Sequence, residues 1–201
     1  MNNKGLLIVI SGPSGAGKGT ICRELLGRNI SNLELSISAT TRMPRTGEID
    51  GVSYFFKDKD EFRKMIDGND LLEYAQVHDN FYGTPKQYVM DKMHEGKDII
   101  LEIDIQGAMK IKQQYRDAVF IFIMPPSYEE LKNRIVGRGT ECEQEIEKRL
   151  KNAREEVRLA PYYEYVIIND DIKTAADKLN CIIIAEKCKI DRCHIDFENY
   201  N

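Results

Sequence analysis

The chain has 201 residues, 42% hydrophobic and 31% charged, which is enough for one sizeable core and too short for two ordinary enzymes in tandem. Its 29 Lys and Arg against 33 Asp and Glu give a formal charge of -4, which argues against general adhesion to nucleic acid or to an anionic membrane, so a bound anion must meet locally clustered cations. The cysteines Cys22, Cys142, Cys181, Cys188 and Cys193 form an odd set without framework spacing, which fits a reducing compartment, the cytoplasm by default, and no apolar run is long enough to span a bilayer.

In chain order, residues 6–10 read as a buried strand rather than a signal segment, because a glycine-rich turn follows at once and a helix is predicted from about Lys18. From about residue 35 to 87 the apolar runs are short, aromatic and broken by turn residues such as Pro44-Arg45-Thr46-Gly47, which predicts a small antiparallel lobe with one helix near 58–67. Residues 98–103 and 119–124 are predicted strands, each followed by a helix, from about Gln106 and about Ser127. The charged stretch 133–158, with Gly137-Arg138-Gly139 ahead of a long polar helix, predicts a mobile flap. A last strand at 165–168 leads into a helix near Asp171, whose carboxylate can cap it. The tail carries Cys188, Cys193 and His194 without a second ligand pair, so a docked or frayed terminus is expected there rather than a metal site.

The glycine-rich turn is Ser11-Gly12-Pro13-Ser14-Gly15-Ala16-Gly17-Lys18-Gly19-Thr20, and between a strand and a helix such a string is a phosphate cradle. Gly12, Gly15 and Gly17 permit backbone conformations that turn consecutive N–H groups toward phosphate oxygens, and the helix start adds the positive end of its dipole. Lys18 is placed to bridge the β- and γ-phosphates of ATP. The usual pattern has a hydroxyl directly after the lysine. Here Gly19 stands there with Thr20 next, so Mg2+ is expected to be held mainly by ATP phosphates and water, with Thr20 donating to a phosphate.

The resulting expectation is an α/β fold, a P-loop NTPase-type parallel β-sheet core flanked by helices, with a small mixed α/β lobe and a helical lid. One unit over 1–201 divides into a core (1–36, 88–130 and 161–187), the lobe (37–87), the lid (131–160) and a C-terminal tail (188–201).

A phosphate cradle does not by itself separate a GTPase, a motor and a kinase. Arg42 and Arg45, three residues apart around Pro44, would make with Tyr54 and Tyr82 a closed clamp for a phosphomonoester. Glu73 and Asp104 offer carboxylates to a base edge with adjacent N–H donors, the edge that guanine presents. Taken singly, these two are equally a helix cap and a strand-end carboxylate.

The ordered segments GPSGAGK at 12–18, TTRMPRTGE at 40–48, GVSYFF at 51–56, EYAQ at 73–76, YGT at 82–84, LEIDIQG at 101–107, PPS at 125–127, RGTE at 138–141 and IND at 168–170 resemble those of guanylate kinases, over about residues 5 to 187. The resemblance implies reversible phosphoryl transfer from Mg-ATP to GMP, with ATP and GMP as partners, in purine nucleotide metabolism. It implies that residues Gly12, Pro13, Ser14, Gly15, Ala16, Gly17, Lys18, Gly19 and Thr20 hold the ATP phosphates, with Asn169 and Asp170 near the adenine. Arg42, Arg45, Tyr54 and Tyr82 would hold the GMP phosphate, and Ser38, Glu73, Thr84 and Asp104 would read the guanine. Thr41, Gly83, Glu102 and Gln106 belong to the same acceptor site, Glu102 being a glutamate where the family usually has an aspartate. Lys18, Arg45, Arg138 and Arg149 would act on the migrating group, with Arg134 assisting.

No general base is required, because a phosphate acceptor is already largely dianionic, and His78, His94 and His194 are expected to be structural or surface residues. The residues leave open a related kinase for another nucleoside monophosphate, and a silent module that binds phosphorylated peptides in the acceptor site. The intact Lys18, Arg138 and Arg149 argue against the silent module.

Overall fold

A computed structural model describes residues 4–30, 32–77, 79–137 and 143–193. Its main sheet is parallel throughout, in the order β2 (Leu33–Leu35), β7 (Asp98–Glu102), β1 (Leu7–Ser11), β8 (Val119–Met124), β9 (Tyr165–Ile168). Successive side chains of a strand point to opposite faces, and β1 shows the consequence. Ile8 and Ile10 face helices α1 (Lys18–Leu26) and α7 (Ile172–Lys187), joining Ile21, Leu25, Leu179 and Ile183 in one core. Leu7 and Val9 face α3 (Lys86–His94) and α4 (Ile105–Gln114), joining Val89, Ala108, Ile111 and Phe120 in the other. Burial on both faces is why these strands read as continuous apolar runs.

The capped helices begin where their side chains dictate. Asp171 accepts from Thr174 N at 2.8 Å and Ser127 accepts from Glu130 N at 3.1 Å, which opens α5 (Tyr128–Val136). Asp58 and Glu61 form a capping box at α2 (Lys59–Asp67). Helix α3 is an addition to the expected elements. Its apolar stripe is weak, and it is held by packing Val89 and Met93 against the sheet.

The second sheet has the order β4 (Phe55–Phe56), β3 (Ala39–Thr40), β6 (Asn80–Pro85), β5 (Leu71–Val77). Here the expectation of an antiparallel lobe needs a correction. β3–β6 and β6–β5 are antiparallel, but β3 and β4 run parallel, because the excursion between Thr40 and Phe55 returns the chain to the same end instead of closing a hairpin. Phe62 of α2 fills the small core beneath, stacked on Phe81 with ring centroids 5.6 Å apart.

Helix α6 (Glu143–Val157) packs Leu150 and Ala153 against Leu131 and Ile135 of α5. After α7 the chain is tied back to the body: the buried Glu186 takes Lys189 at 2.7 Å and Arg192 at 3.0 Å, and Arg192 also donates to Asp117 O at 3.0 Å. Among the described residues no helix is long and apolar enough to cross a membrane.

Candidate active site

The loop from Gly12 to Gly17 wraps the C-terminal end of β1. Gly12 has φ 149°, and a Cβ there would collide with the backbone carbonyl of Ile123 on the neighbouring strand, so this position needs glycine for both conformation and space. Gly17, at φ 90°, is the N-cap of α1 and lies against the side-chain amide of Asn169. The Lys18 ammonium donates to Gly12 O at 2.6 Å and Pro13 O at 3.3 Å, so it lies curled over the loop it serves. Burial lowers its pKa, opposed by the carboxylates of Glu102, Glu156 and Asp104.

Asn169 is buried and donates from Nδ2 to Ala16 O at 2.8 Å, while its backbone carbonyl accepts from Arg134 at 3.0 Å. It therefore braces the back of the phosphate loop, whereas its neighbour Asp170 is exposed. Thr20 is exposed one turn into α1, and Gly19 beside it faces the Glu102 carboxylate.

In the lobe, the pairing of Ala39 and Tyr74 with Gly83 sets Ser38, Thr84 and Glu73 at one end of the sheet. A Cβ at Gly83 would press on Phe62 at 3.1 Å, so Gly83 faces the lobe core while Tyr82 and Thr84 face the cleft. Thr84 donates to Glu73 Oε1 at 2.7 Å, and Glu73 Oε2 lies over the start of α4, where it leaves no room for a Cβ on Gly107. Burial pushes the Glu73 carboxyl up to about 7, with Thr84 acting against that and the charge of Asp104 adding to it. Asp104 is indeed a helix cap, accepting from Gly107 N at 2.8 Å, and the exposed Gln106 follows in the first turn.

Arg42 is already engaged. It donates to Glu48 at 2.8 Å and to Met43 O at 2.8 Å, its guanidinium lies 5.4 Å from the Tyr54 ring centroid, and the Tyr82 hydroxyl is beside it. Tyr54 and Tyr82 meet edge-on at 6.2 Å. Thr41 is spent on the lobe itself, its hydroxyl accepting from Phe81 N at 2.9 Å. Arg45 is exposed, and its guanidinium makes no hydrogen bond or ion pair with the described residues.

Glu73 Oε2 of the lobe reaches the first turn of α4, which Asp104 caps, and Ser11 Oγ at the start of the phosphate loop donates to Ile103 O at 3.1 Å, so the two halves meet at the end of β7. Helix α6 closes a third side: Arg149 donates to Ser14 Oγ at 3.3 Å. Arg138 lies outside the described residues, as do His78 and His194.

Two residues here were not singled out from the sequence. Glu156 lies near Lys18, whose charge it offsets, and burial raises its pKa. Its one available signal was its position seven residues, two helical turns, after Arg149, which places both on one face. Glu48 neutralises Arg42 and accepts from Arg45 N at 2.8 Å. A backbone anion cradle and a half-buried ammonium on one side, with paired arginines, tyrosines and a buried carboxylate on the other, can hold two phosphates end to end.

Residues 4–186 match the family model described as guanylate kinase. The chain is 58% identical over 192 residues to the guanylate kinase of Caldanaerobacter subterraneus subsp. tengcongensis, covering 96% of this chain and 93% of that protein. It is 58% identical over 189 residues to that of Clostridioides difficile, covering 94% and 92%. The crystal structure of guanylate kinase from Anaplasma phagocytophilum superposes with a TM-score of 0.75 at 37% identity, covering 95% of this chain and 90% of that one.

Proposed function

The chain belongs to the guanylate kinase family and is a nucleoside monophosphate kinase that transfers the terminal phosphoryl group of ATP to GMP, and from that premise we propose how its residues divide the work. The phosphate loop receives ATP, its N–H groups and the α1 dipole holding the phosphates while Lys18 leaves the Gly12 and Pro13 carbonyls to follow the γ-phosphoryl group. Asp170 lies on the adenine side. The GMP phosphate is held by Arg42, Arg45, Tyr54 and Tyr82, and the guanine N–H edge by Glu73 and Asp104, with Ser38 and Thr84 beside them. An oxygen of the GMP phosphate attacks the γ-phosphorus as the bond to the β,γ-bridging oxygen breaks, and Arg45, Arg149 and Arg138 spread the equatorial charge.

The observation that carries this reading is the start of α4: Glu73 Oε2 of the lobe lies over Gly107 there, and Glu102, two residues before the cap Asp104, faces Gly19 of the phosphate loop, so donor and acceptor groups meet at the end of β7. In this scheme residues 131–160 act as a lid, the 37–87 lobe as the acceptor module and the rest as the core. Lid closure excludes water from the reacting phosphoryl group.

The donor set fits a hard divalent cation poorly through hydroxyls, since Gly19 has none, and better through the oxygens of Glu102 and the nucleotide. Bound there with ATP, held mainly by phosphates and water, Mg2+ would neutralise charge on the β- and γ-phosphates. The setting that suits this chemistry is cytoplasmic purine nucleotide metabolism.

A coupled assay across GMP, AMP, dTMP and ribose phosphates tests the acceptor assignment. GMP is expected to have the highest kcat/KM by orders of magnitude, and a preference for any other acceptor would refute the guanine pocket.

A further inference from the structure

The first turn of α4 lacks a side chain at a place where the backbone does not require it. Gly107 is buried, has ordinary helical conformation and stands beside Ala108 and Ile111, which pack into the sheet core. In such a position alanine stabilises a helix better than glycine does. The space belongs instead to Glu73. A Cβ on Gly107 would lie 2.7 Å from Glu73 Oε2, 3.2 Å from Cδ and 3.3 Å from Cγ, so the length of that side chain, not only its tip, runs along the glycine.

Glu73 has little freedom to give way. It is 7% exposed, and Thr84 holds Oε1 at 2.7 Å, while Oε2 receives no hydrogen bond from the described residues. Its strand delivers it through an irregularity: β5 advances from Leu71 to Tyr74 while β6 moves only from Pro85 to Gly83, so β5 carries one extra residue beside Glu73. A bulge of this kind re-aims a side chain. One turn along α4 from Gly107, Lys110 donates to Tyr74 O at 3.1 Å and lies 4.9 Å from the Tyr74 ring centroid, which fixes β5 at this height on the helix.

We propose that Gly107 is a specificity-determining positioning residue for the acceptor: its missing side chain admits the Glu73 carboxylate to the start of α4, and a side chain there would push that carboxylate off the N–H edge of the guanine. The proposal deepens the reading of the lobe as the guanine site and rests on it. Glycine at 107 gives up helix stability for the placement of one carboxylate.

The test is steady-state kinetics of Gly107→Ala, Glu73→Ala and the double variant, with GMP and with inosine monophosphate, which lacks the 2-amino group of guanine. Gly107→Ala is expected to raise the KM for GMP by about tenfold with the KM for ATP changed less than about twofold, and to shrink the kcat/KM preference for GMP over inosine monophosphate by about tenfold, because only a placed carboxylate rewards the extra N–H group. In the Glu73→Ala background there is no carboxylate to displace, so adding Gly107→Ala should cost less than about twofold more, the non-additivity of two residues that act through one contact. An equal cost of Gly107→Ala in both backgrounds overturns the proposal, and so does an unchanged preference for GMP, since a general packing defect would leave it intact. If Gly107→Ala alone is not recovered folded, the double variant decides: recovery with the activity of Glu73→Ala supports the proposal, and loss of folding there too overturns it. Unaltered GMP kinetics in Glu73→Ala would strike the guanine-site reading instead.

Discussion

The two phosphate-holding regions are built from different materials. In the loop after β1 the anion meets backbone N–H groups and one ammonium, all within the contiguous stretch 12–20, braced from behind by Asn169 and shaped by Gly12 and Gly17. In the lobe the cations are long side chains on an exposed turn, and the guanine-facing groups come from β5, β6 and the start of α4. The loop holds its shape through its own backbone, and its ammonium is satisfied internally until ATP arrives. The lobe keeps Arg42 on Glu48 and Glu73 on Thr84, leaving Arg45 exposed. A site of backbone dipoles is rigid before binding, whereas one of side chains borrows internal partners and exchanges them for the ligand, at a cost in ordering.

That contrast breaks first at Lys18. Lys18→Ala removes the one side-chain cation of the loop that follows the migrating group, and steady-state kinetics should show a kcat loss of about 10³-fold or more, roughly 4 kcal/mol. Near wild-type turnover would mean that the backbone cradle suffices. Arg45→Ala comes next. With no internal partner to release, its guanidinium acts wholly on ligand, and kcat/KM for GMP should fall about 10²- to 10³-fold, with the KM for ATP little changed. An equal rise in both KM values would show that Arg45 shapes the lobe rather than gripping phosphate.

Glu73→Gln sharpens the comparison on the base side. It should raise the KM for GMP by about 10- to 30-fold and lower kcat less, because the group binds the base and not the reacting atoms. A kcat effect exceeding the KM effect would contradict that role.

The smallest effect is in pH. Burial holds the Glu73 carboxyl at about 7 in the free protein, and only the ionised form accepts from both guanine N–H groups. Below that value protons therefore compete with GMP, and its KM should climb as pH falls from about 7 toward 6, by at most about tenfold per unit. The climb should vanish in Glu73→Gln, and a profile identical in the two proteins would remove Glu73 from the base contact.

What could be read from the sequence follows the same division. The phosphate loop, the cap at Asp171 and four of the five strands of the main sheet were legible because each depends on neighbours in the chain, whereas the three-residue β2 was not. The direction of β4 and the existence of α3 were not, since a two-residue strand and a weakly amphipathic helix take their identity from what they pack against. Glu48 was one turn-region carboxylate among many, and Glu156 one of several acids on a polar helix, until folding set them on Arg42 and beside Lys18.

The sequence by itself determined the fold class, the position of the phosphate cradle and the candidate acceptor residues, because local periodicity, glycine placement and ordered motifs are carried by contiguous residues. Only the tertiary structure decided which of those residues are free and which are occupied. Burial of Glu73, pairing of Arg42, bracing by Asn169 and the meeting of Gly19 with Glu102 all arise between segments tens of residues apart. The register of parallel strands and the closure of a lobe over a core fix such distances, and no short window of sequence contains them.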